Sequence, residues 1–502
     1  MDKKKGFLNI SVSVGFKLIT MFFVIFVKRI LIDTCGNEIN GLNSLYLNII
    51  GFLAVAELGV GNAITFCMYE PIVNGENDKV SALYGLFHKC YLTIAAVITL
   101  SGLVLTPFLS YFAKDYTELN VNLYSTFVLM LISVVLTYIY ASKTSLINAY
   151  KNNYITNAIS SGGLLLQYAL QVLVLILTKS FIWYLICRII TSIVKWIITE
   201  WIARKKYSNI IRCKQKIDSN TKVKLIRSIK AMFMHRIGSV LVNTVDSVVI
   251  SMFVGVVALG EYSNYLVILT SLTGVINLVF TSLVSVLGHM FVESDKTTSR
   301  KYCEIFHLLN FIIGIVCFLG YYAIIDNLIA ILFSPDLIVA KSIPFVITVN
   351  GFVQFMRQGV LSFRDATGTF YYDRWKSLFE GFANLILSII LVNIIGVTGV
   401  IVATIITNLF ISHIVEPYVL YKNAFLVSPK KYYRDNYIMI VVFVLALFVL
   451  EMFNVDIENN WLQLLINGSL SVLISTVMLG LLALIKRDTF KYLLNFIRKK
   501  KH

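Results

Sequence analysis

Apolar runs about as long as a membrane-spanning helix recur from one end of this chain to the other. A helix needs about 20 predominantly apolar residues to cross the hydrocarbon core of a bilayer. Of the 502 residues, 58% are hydrophobic and only 14% are charged. Marking each apolar run that is bounded by charged or turn residues predicts about 14 spanning helices. They lie near residues 7–28, 41–67, 84–112, 121–142, 156–178, 181–203, 229–256, 262–288, 304–325, 341–363, 377–395, 398–421, 437–453 and 462–485. We therefore predict an all-α polytopic membrane protein.

The longest hydrophilic stretch divides these helices into two groups. We predict an N-terminal lobe of six helices over residues 1–203, a basic cytosolic linker over 204–228 and a C-terminal lobe of six helices over 229–422. A further helix pair occupies 437–485, and a basic cytosolic tail occupies 486–502. Two lobes of six helices suit a carrier that exposes a central cavity alternately to each side of the membrane.

The distribution of positive charge predicts the orientation of the chain. It has 44 Lys and Arg against 27 Asp and Glu, which gives a net charge of +17. With the N-terminus in the cytosol, the basic residues on the outer side are only Lys28, Arg29, Lys114 and Lys179. This arrangement satisfies the rule that cytosolic loops carry the excess of Lys and Arg, and an even number of spans places both termini in the cytosol. The linker and tail would then rest on anionic membrane lipids, and a nucleic-acid partner is excluded.

The sequence carries no motif for catalysis or metal binding. The seven cysteines are scattered singly, without the CxxC spacing of a zinc site or redox pair, and no GxxxxGK[ST] phosphate-binding loop occurs. We therefore predict no enzyme activity, no catalytic residue, no metal and no cofactor, apart from a coupling ion such as H⁺ or Na⁺. We expect solvated or helix-capping imidazoles near the predicted cytosolic helix ends. These are His235, His289, His307 and His413.

Several basic residues fall within predicted spans, where each would cost about 2.5 to 3.5 kcal/mol if it faced lipid. In the span 181–203, Arg188 and Lys195 are separated by two helical turns and share one face. A water-filled cavity explains these cations better than packing, because uncharged residues would pack as well. Such a cavity would bind an anion, since Arg pairs readily with phosphate oxygens. The predicted anion-contacting residues are Arg29, Arg188, Lys195, Arg236, Arg357 and Lys17.

Two acidic residues also lie within predicted spans. Glu57 requires either a bound proton or a cationic partner, which Arg29 or Lys17 could supply. Asp246 likewise requires either a bound proton or a cationic partner. We predict coupling or gating roles for both acids, and the alternative is a close helix crossing with a paired carboxylate. The residues predicted to line the cavity are Asn243, Asn277, Gln354, Asn384 and Asn408. Such residues also serve as hydrogen-bonding contacts between helices.

Short runs distributed along the chain carry a family resemblance. They are Gly41-Leu42-Asn43-Ser44-Leu45 after Arg29, Glu57 to Ile64, Met68-Tyr69-Glu70-Pro71, Asp246 to Ser251 with Gly260 to Tyr265, Phe363 to Gly368, and Gly396 to Val400. In order and spacing, these runs resemble the polysaccharide-repeat-unit flippases (Wzx type) of the multidrug/oligosaccharidyl-lipid/polysaccharide exporter (MOP) superfamily. The resemblance covers most of the chain.

The resemblance implies two pseudo-symmetric, inverted six-helix bundles around a central cavity. It also implies a cargo, a polyprenyl-pyrophosphate-linked oligosaccharide. The cargo would move from the inner to the outer leaflet of the bacterial cytoplasmic membrane for capsule, O-antigen or exopolysaccharide synthesis. Its pyrophosphate would pair with the anion-contacting residues named above. Polysaccharide-assembly enzymes are the expected protein partners.

Three alternative transport or enzyme functions remain open, and so does a structural scaffold without transport. A multidrug or cation antiporter of the same superfamily would share the helix count, but its cavity should carry more acid than base. A twelve-helix facilitator-type transporter would carry a glycine-and-arginine signature between its second and third helices, where the stretch from Glu70 to Leu83 lacks one. A membrane polymerase or ligase acting on the same lipid-linked sugars would need a larger outer loop before the tenth helix.

Overall fold

The structure of the chain is a computed structural model that describes residues 3–57, 60–116, 121–212, 244–293, 295–369 and 372–487. The regular elements of these residues are helices, without any strand. Seventeen α-helices follow in chain order within these ranges. They are α1 (Lys3–Cys35), α2 (Asn37–Leu53), α3 (Val60–Val73), α4 (Asn77–Leu105), α5 (Leu109–Phe112), α6 (Leu123–Ala149), α7 (Asn153–Thr178), α8 (Phe181–Arg212), α9 (Thr244–Phe253), α10 (Val256–Glu293), α11 (Lys296–Leu332), α12 (Ser342–Met356), α13 (Gln358–Thr367), α14 (Lys376–Thr407), α15 (His413–Leu420), α16 (Lys430–Phe453) and α17 (Asn460–Ile485). Eight helical stretches in the described ranges are long and apolar enough to cross a membrane. The predicted all-α polytopic membrane fold is confirmed.

The predicted helices 377–395 and 398–421 belong to one helical stretch, Lys376–Phe425. Ile395 and Gly396 interrupt the helical backbone within α14. Gly396 has φ +60° and ψ −139°, a mirror image of extended backbone that costs most other residues about 1 to 3 kcal/mol and that glycine adopts freely. The two predicted spans are therefore separated by a glycine turn.

Two further predicted helices are interrupted at candidate site residues. The predicted helix 41–67 is divided into α2, a 3-10 turn at Ala54–Glu57, and α3. The predicted helix 341–363 is divided at Arg357 into α12 and α13. The apolar pattern did not reveal either break, because a single irregular turn leaves the hydrophobic run intact.

The chain divides into two compact units, Met1–Gly260 and Glu261–His502. In the first unit, α8 packs against α6 and α7, and α4 packs against α6. In the second unit, α11 packs against α12 and α17, and α12 packs against α14. The predicted boundaries of the lobes, linker and tail stay predictions, because residues 213–243 and 488–502 lie outside the described part of the chain.

A close helix crossing lies within the first unit, between α2 and the start of α10. A Cβ atom at Gly41 would overlap the carbonyl oxygen of Val256. Asn40 reinforces the crossing, since its Nδ2 donates a hydrogen bond to the carbonyl oxygen of Gly260 at 3.2 Å. Backbone packed this closely against backbone requires a residue without a side chain at position 41.

Candidate functional site

A set of buried charges lies in the second unit, where α12 and α13 meet α14 and α15. Arg357 binds Glu416 at two points, since Nη2 donates to Oε1 at 2.6 Å and Nε donates to Oε2 at 3.0 Å. Lys376 donates to the same carboxylate at 2.7 Å. It also lies 2.9 Å from Glu380, one turn further along α14. One carboxylate is thus shared between two cations.

Arg364 on α13 extends this set. Its Nη1 lies 2.6 Å from the Asp373 carboxylate and 3.9 Å from that of Glu416. The six side chains are between 1% and 16% exposed. Three cations face three carboxylates, so the formal charges cancel, and this pairing offsets the large penalty for burying each charge alone. We call these residues the charge cluster: Arg357, Arg364, Asp373, Lys376, Glu380 and Glu416.

Two of the amides predicted to line a cavity lie beside the charge cluster. Asn408 accepts a hydrogen bond from Nη1 of Arg357 at 2.6 Å and donates to the carbonyl oxygen of Thr404 at 3.0 Å. Asn384 donates to the Thr404 hydroxyl at 2.8 Å. Asn408 begins a π-helical turn, Asn408–Ser412, a distortion that occurs often at functional sites. The structure therefore brings Arg357, Asn384 and Asn408 into one polar region.

The guanidinium of Arg357 is occupied in this structure. Two of its nitrogens bind Glu416 and a third binds Asn408. An anionic ligand would have to displace the Glu416 carboxylate before it could make a two-point contact with Arg357. The predicted role of Arg357 in anion contact stays a prediction, and it now requires that the ion pair opens.

The predicted cations Arg188 and Lys195 lie together in the first unit, on the face of α8 that meets α7. The stem of Lys195 occupies the space beside Gly163, where a Cβ atom would come within 2.6 Å of its Cγ and Cδ. Arg188 lies near Tyr184, and its charge acts on the ammonium of Lys195. Both cations are half-buried, and neither has a carboxylate within ion-pair distance in the described part of the chain. These two cations are not neutralised by any described acid.

Glu57 lies beside two tyrosines of the first unit. The hydroxyl of Tyr91 donates to Oε1 of Glu57 at 2.9 Å, and Tyr138 lies near enough for the carboxyl group to act on it electrostatically. Gly61 permits the approach, because a Cβ atom there would come 2.6 Å from the Tyr91 hydroxyl. Among the residues described, no cation pairs with Glu57. The suggested partner Arg29 lies 3.5 Å from Asp33 instead, and both of these side chains are about half exposed.

The remaining predicted site residues lie in several places. Asp246 is buried on α9, and Asn277 is half-buried on α10. Gln354 is exposed on α12 and donates to Asn350 at 3.2 Å. Three others lie outside what the structure describes, namely Arg236, Asn243 and the side chain of Lys17. Their roles stay predictions, as does the cavity that they were expected to share.

Sequence reasoning predicted only Arg357 of the charge cluster as a site residue and missed the other five members, namely Arg364, Asp373, Lys376, Glu380 and Glu416. Two signals could have revealed part of it. Lys376 and Glu380 are four residues apart and therefore share a helix face, and Glu416 is an acid inside the predicted span 398–421.

The expectation of solvated or helix-capping histidines is wrong for two of them, because His307 and His413 are 4% and 1% exposed. His413 is held between the carbonyl oxygen of Val353 and the side chain of Asn436. His307 lies well inside α11, which begins at Lys296, before the predicted run 304–325. His413 lies inside the helical stretch Lys376–Phe425, so both imidazoles are buried among helices.

Comparison with known proteins gives matches at the level of structure. The chain is similar to the lipid II flippase MurJ in an inward closed conformation, with a TM-score of 0.65 and 16% identity over 96% of this chain and 99% of that one. It is similar to an inward-facing multidrug resistance MATE family transporter of the MOP superfamily, with a TM-score of 0.59 and 12% identity over 86% and 98% of the two chains. A third match is a mutant of the Vibrio cholerae MATE transporter VcmN, with a TM-score of 0.58 and 14% identity over 84% and 98%.

No protein-family profile and no curated protein sequence matches the chain. The structural likeness extends over nearly the full length of each of the three transporters. At identities below 20%, a likeness of this extent establishes the fold. This chain has the fold of the MOP superfamily.

Proposed function

We propose that this chain is a flippase for polyprenyl-pyrophosphate-linked oligosaccharides. The observation that carries the proposal is the half-buried pair Arg188 and Lys195, which no described carboxylate neutralises. Two adjacent cations in a protein with this fold suit a cargo with two adjacent negative groups, because guanidinium and ammonium groups bind phosphate oxygens strongly. The similarity to a lipid II flippase over 96% of the chain supports a lipid-linked cargo.

The charge cluster would act as a gate in this mechanism. Its six charges balance one another, so it attracts no anion while the Arg357–Glu416 ion pair is closed. A pyrophosphate that reached Arg357 would exchange with the Glu416 carboxylate and release one member of the cluster. Glu57 and Asp246 are the candidates for coupling this change to an ion such as H⁺ or Na⁺, because acids buried within a membrane protein bind ions or exchange protons.

The proposal includes the setting of the protein. The chain would lie in the bacterial cytoplasmic membrane with both termini in the cytosol, as its distribution of Lys and Arg predicts. It would supply repeat units for capsule, O-antigen or exopolysaccharide synthesis and could contact the enzymes that assemble them. The basic linker and tail would contact anionic lipids. The chain would carry out no covalent chemistry of its own.

A cation antiporter is the second candidate function, and one observation favours it. Glu57 accepts a hydrogen bond from Tyr91, lies near Tyr138 and has no described cationic partner. A partly buried acid in that setting could take up a proton when a cationic drug leaves. The structural alignments with the two MATE transporters cover 86% and 84% of this chain. The two functions differ in the sign of the cargo's charge.

Reconstitution tests the proposal directly. The purified chain would be placed in liposomes with a polyprenyl-pyrophosphate-linked oligosaccharide, and arrival of the sugar in the opposite leaflet would be followed with a lectin. We expect the double variant Arg188→Ala/Lys195→Ala to transfer the lipid at least about tenfold more slowly, since each charged hydrogen bond contributes about 1.5 to 3 kcal/mol.

The matched control is Lys205→Ala, which removes an exposed lysine from the same helix and should leave the rate unchanged. Equal rates for the double variant and the control would refute the anion site. Export of a cationic dye without transfer of the lipid-linked sugar would establish the antiporter instead.

A further inference from the structure

A line of buried polar groups without partners lies in the second unit, on α11. Both ring nitrogens of His307 and both amide atoms of Asn310 are buried and have no hydrogen-bond partner in the protein. His307 is 4% exposed and Asn310 is not exposed at all. The two residues are three apart on one helix and therefore lie on the same face. Buried polar groups are almost always hydrogen-bonded, to protein atoms or to ordered water.

A small cavity lies beside His307 and has room for about one or two water molecules. The hydroxyl-bearing side chains of Tyr421 and Tyr432 line it, and the Tyr421 hydroxyl is itself buried without a partner. The ring of Tyr432 packs against the imidazole in a tilted arrangement, with 4.5 Å between ring centroids. The lining of the cavity is mostly apolar, but the His307 nitrogens and the Tyr421 hydroxyl are unpartnered groups beside it that a water molecule could bridge, and such partners are what stable internal water requires.

Two ion pairs form the mouth of this cavity. Lys431 lies 2.9 Å from Glu304, and Lys486 lies 3.0 Å from Asp435. The side chain of Lys431 is 58% exposed, so the mouth reaches the surface at the end of the bundle where α11 and α16 begin. That end is cytosolic in the orientation proposed above.

His413 lies on the inner side of this region, and its hydrogen bonds fix the tautomer of the neutral imidazole. The carbonyl oxygen of Val353 can only accept, so Nε2 of His413 donates to it at 2.9 Å, and Nδ1 accepts from Nδ2 of Asn436 at 2.9 Å. The Oδ1 atom of Asn436 is buried and has no partner. Rotation of this amide would present Oδ1 to a protonated Nδ1. The pair can therefore accommodate both neutral and charged His413 without losing a hydrogen bond.

We propose that α11, α13, α15 and α16 enclose a water-filled proton pathway from the ion pairs at the surface, through His307, to His413 beside the charge cluster. A proton that arrives on the acceptor nitrogen of His307 is matched by the proton that leaves its other nitrogen, so no charge remains on the ring. Glu416 lies one turn beyond His413 on α15, where a proton would weaken its pair with Arg357. The existence of the pathway does not depend on the proposed function. Only the use of its proton to drive transport rests on that function.

Charged and titratable groups surround both imidazoles within the described part of the chain. Those around His307 are Cys303, Glu304, His413, Tyr421, Lys431, Tyr432, Asp435 and Lys486, with Arg300 beside Glu304 and Arg434 beside Asp435. Those around His413 are Arg357, Glu380 and Glu416. Near His307, Glu304 pairs with Arg300 and Lys431, and Asp435 pairs with Arg434 and Lys486, whereas the neighbours of His413 belong to the balanced charge cluster. Because cations exceed acids around His307, a proton must pass through its imidazole by exchange between the two ring nitrogens, without a charge resting on the ring.

Radical footprinting tests for water in the pathway without any transport substrate. The purified chain in lipid nanodiscs would be exposed to hydroxyl radicals formed by X-ray radiolysis of water, and side-chain oxidation would be read by mass spectrometry. We expect Tyr421 and Tyr432 to be oxidised within about threefold of exposed Tyr418 and at least about tenfold faster than Tyr46. Tyr46 is an equally buried control whose hydroxyl binds the carbonyl oxygen of Leu123 at 2.6 Å. Protection of Tyr421 and Tyr432 equal to that of Tyr46 would overturn the proposal.

Proton flux provides the second test. Liposomes that contain the chain and a pH-sensitive dye would be given an inward proton gradient, with the membrane potential clamped by valinomycin and potassium. We expect Asn310→Leu and His307→Phe each to slow acidification at least about tenfold, whereas His88→Phe, in the first unit and outside the pathway, should not. No flux above that of empty liposomes would contradict the pathway.

The proposal can still be tested if a variant fails to fold, because the footprinting experiment uses the natural chain. Both omit lipid-linked oligosaccharide. Failure of the flippase proposal would therefore leave their outcomes unaffected, and the two proposals can fail separately.

Discussion

Arg357 and Glu416 form a two-point ion pair within the second unit, with donor–acceptor distances of 2.6 and 3.0 Å. The same carboxylate accepts a third hydrogen bond from Lys376 at 2.7 Å. A single acid therefore holds two cations from two different helices against α15. This arrangement makes Glu416 the residue on which the electrostatic balance of the charge cluster depends.

Replacement of Glu416 by Gln should strongly destabilise the protein. The change leaves two buried carboxylates facing three buried cations, and breaking a buried pair costs about 3 to 5 kcal/mol. Thermal unfolding in detergent would show the effect as a lower Tm. Glu76→Gln is the control, because Glu76 pairs with Lys79 at an exposed site, where the pair contributes at most about 1 kcal/mol. Equal Tm values for the two variants would show that the cluster is not held together as described.

Replacement of Gly396 by Ala should destabilise the turn within α14. The backbone there has φ +60°, and no atom lies within 4 Å of the added Cβ, so the change introduces backbone strain alone, worth about 1 to 3 kcal/mol. Gly480→Ala provides the opposite case, since Gly480 lies in open space within α17 and Ala favours a helix over Gly by about 1 kcal/mol. In thermal unfolding measurements, Gly396→Ala should have a lower Tm than the natural chain, and Gly480→Ala should have a higher one. A neutral or stabilising Gly396→Ala would contradict the assigned backbone conformation.

Replacement of Gly41 by Ala should separate α2 from the start of α10. The new Cβ would overlap the carbonyl oxygen of Val256, which no side-chain rotation can relieve. Gly85→Ala on α4 adds the same group where nothing lies within 4 Å. A crosslink between cysteines placed at positions 40 and 257 should form more slowly in the Gly41→Ala background than in the Gly85→Ala background. Unchanged crosslinking would show that the close crossing does not occur.

Replacement of Glu57 by Gln should remove ion coupling but preserve the fold. The amide oxygen of Gln can still accept the hydrogen bond from Tyr91, whereas the amide cannot take up or release a proton. Transport in liposomes would therefore continue without acceleration by an imposed proton or sodium gradient. Glu70→Gln on α3 is the control, because Glu70 is an exposed acid nearby. A full gradient response in Glu57→Gln would assign coupling to another residue.

The fold could be predicted from the sequence because the membrane imposes a simple rule on it. Apolar runs of about 20 residues must be helices, since no other open structure satisfies its backbone hydrogen bonds in lipid. The runs also predicted the boundary at Gly396, which separates the predicted spans 377–395 and 398–421. What they could not reveal were breaks within a run, because the 3-10 turn at Ala54–Glu57 and the break at Arg357 leave the hydropathy of the run unchanged.

The candidate site could be predicted only in part. Helical spacing placed Arg188 beside Lys195, and it placed Asn384 and Asn408 on polar faces. It could not reveal that Arg357 binds Glu416, because 59 residues separate them in sequence and the contact depends on how three helices pack. Counting charges along single helices also suggested an excess of cations, whereas packing in the second unit supplies an equal number of acids.

The balance within the charge cluster has a consequence for selectivity. Without the Glu416 carboxylate beside it, the buried guanidinium of Arg357 would bind chloride or inorganic phosphate from the cell. The Glu416 carboxylate already binds Arg357 at two points, so a monovalent ion would not bind the guanidinium more strongly than the carboxylate that it replaced. Only a ligand with several closely spaced negative oxygens could compete, so Glu416 would serve as an internal substitute that small anions fail to displace.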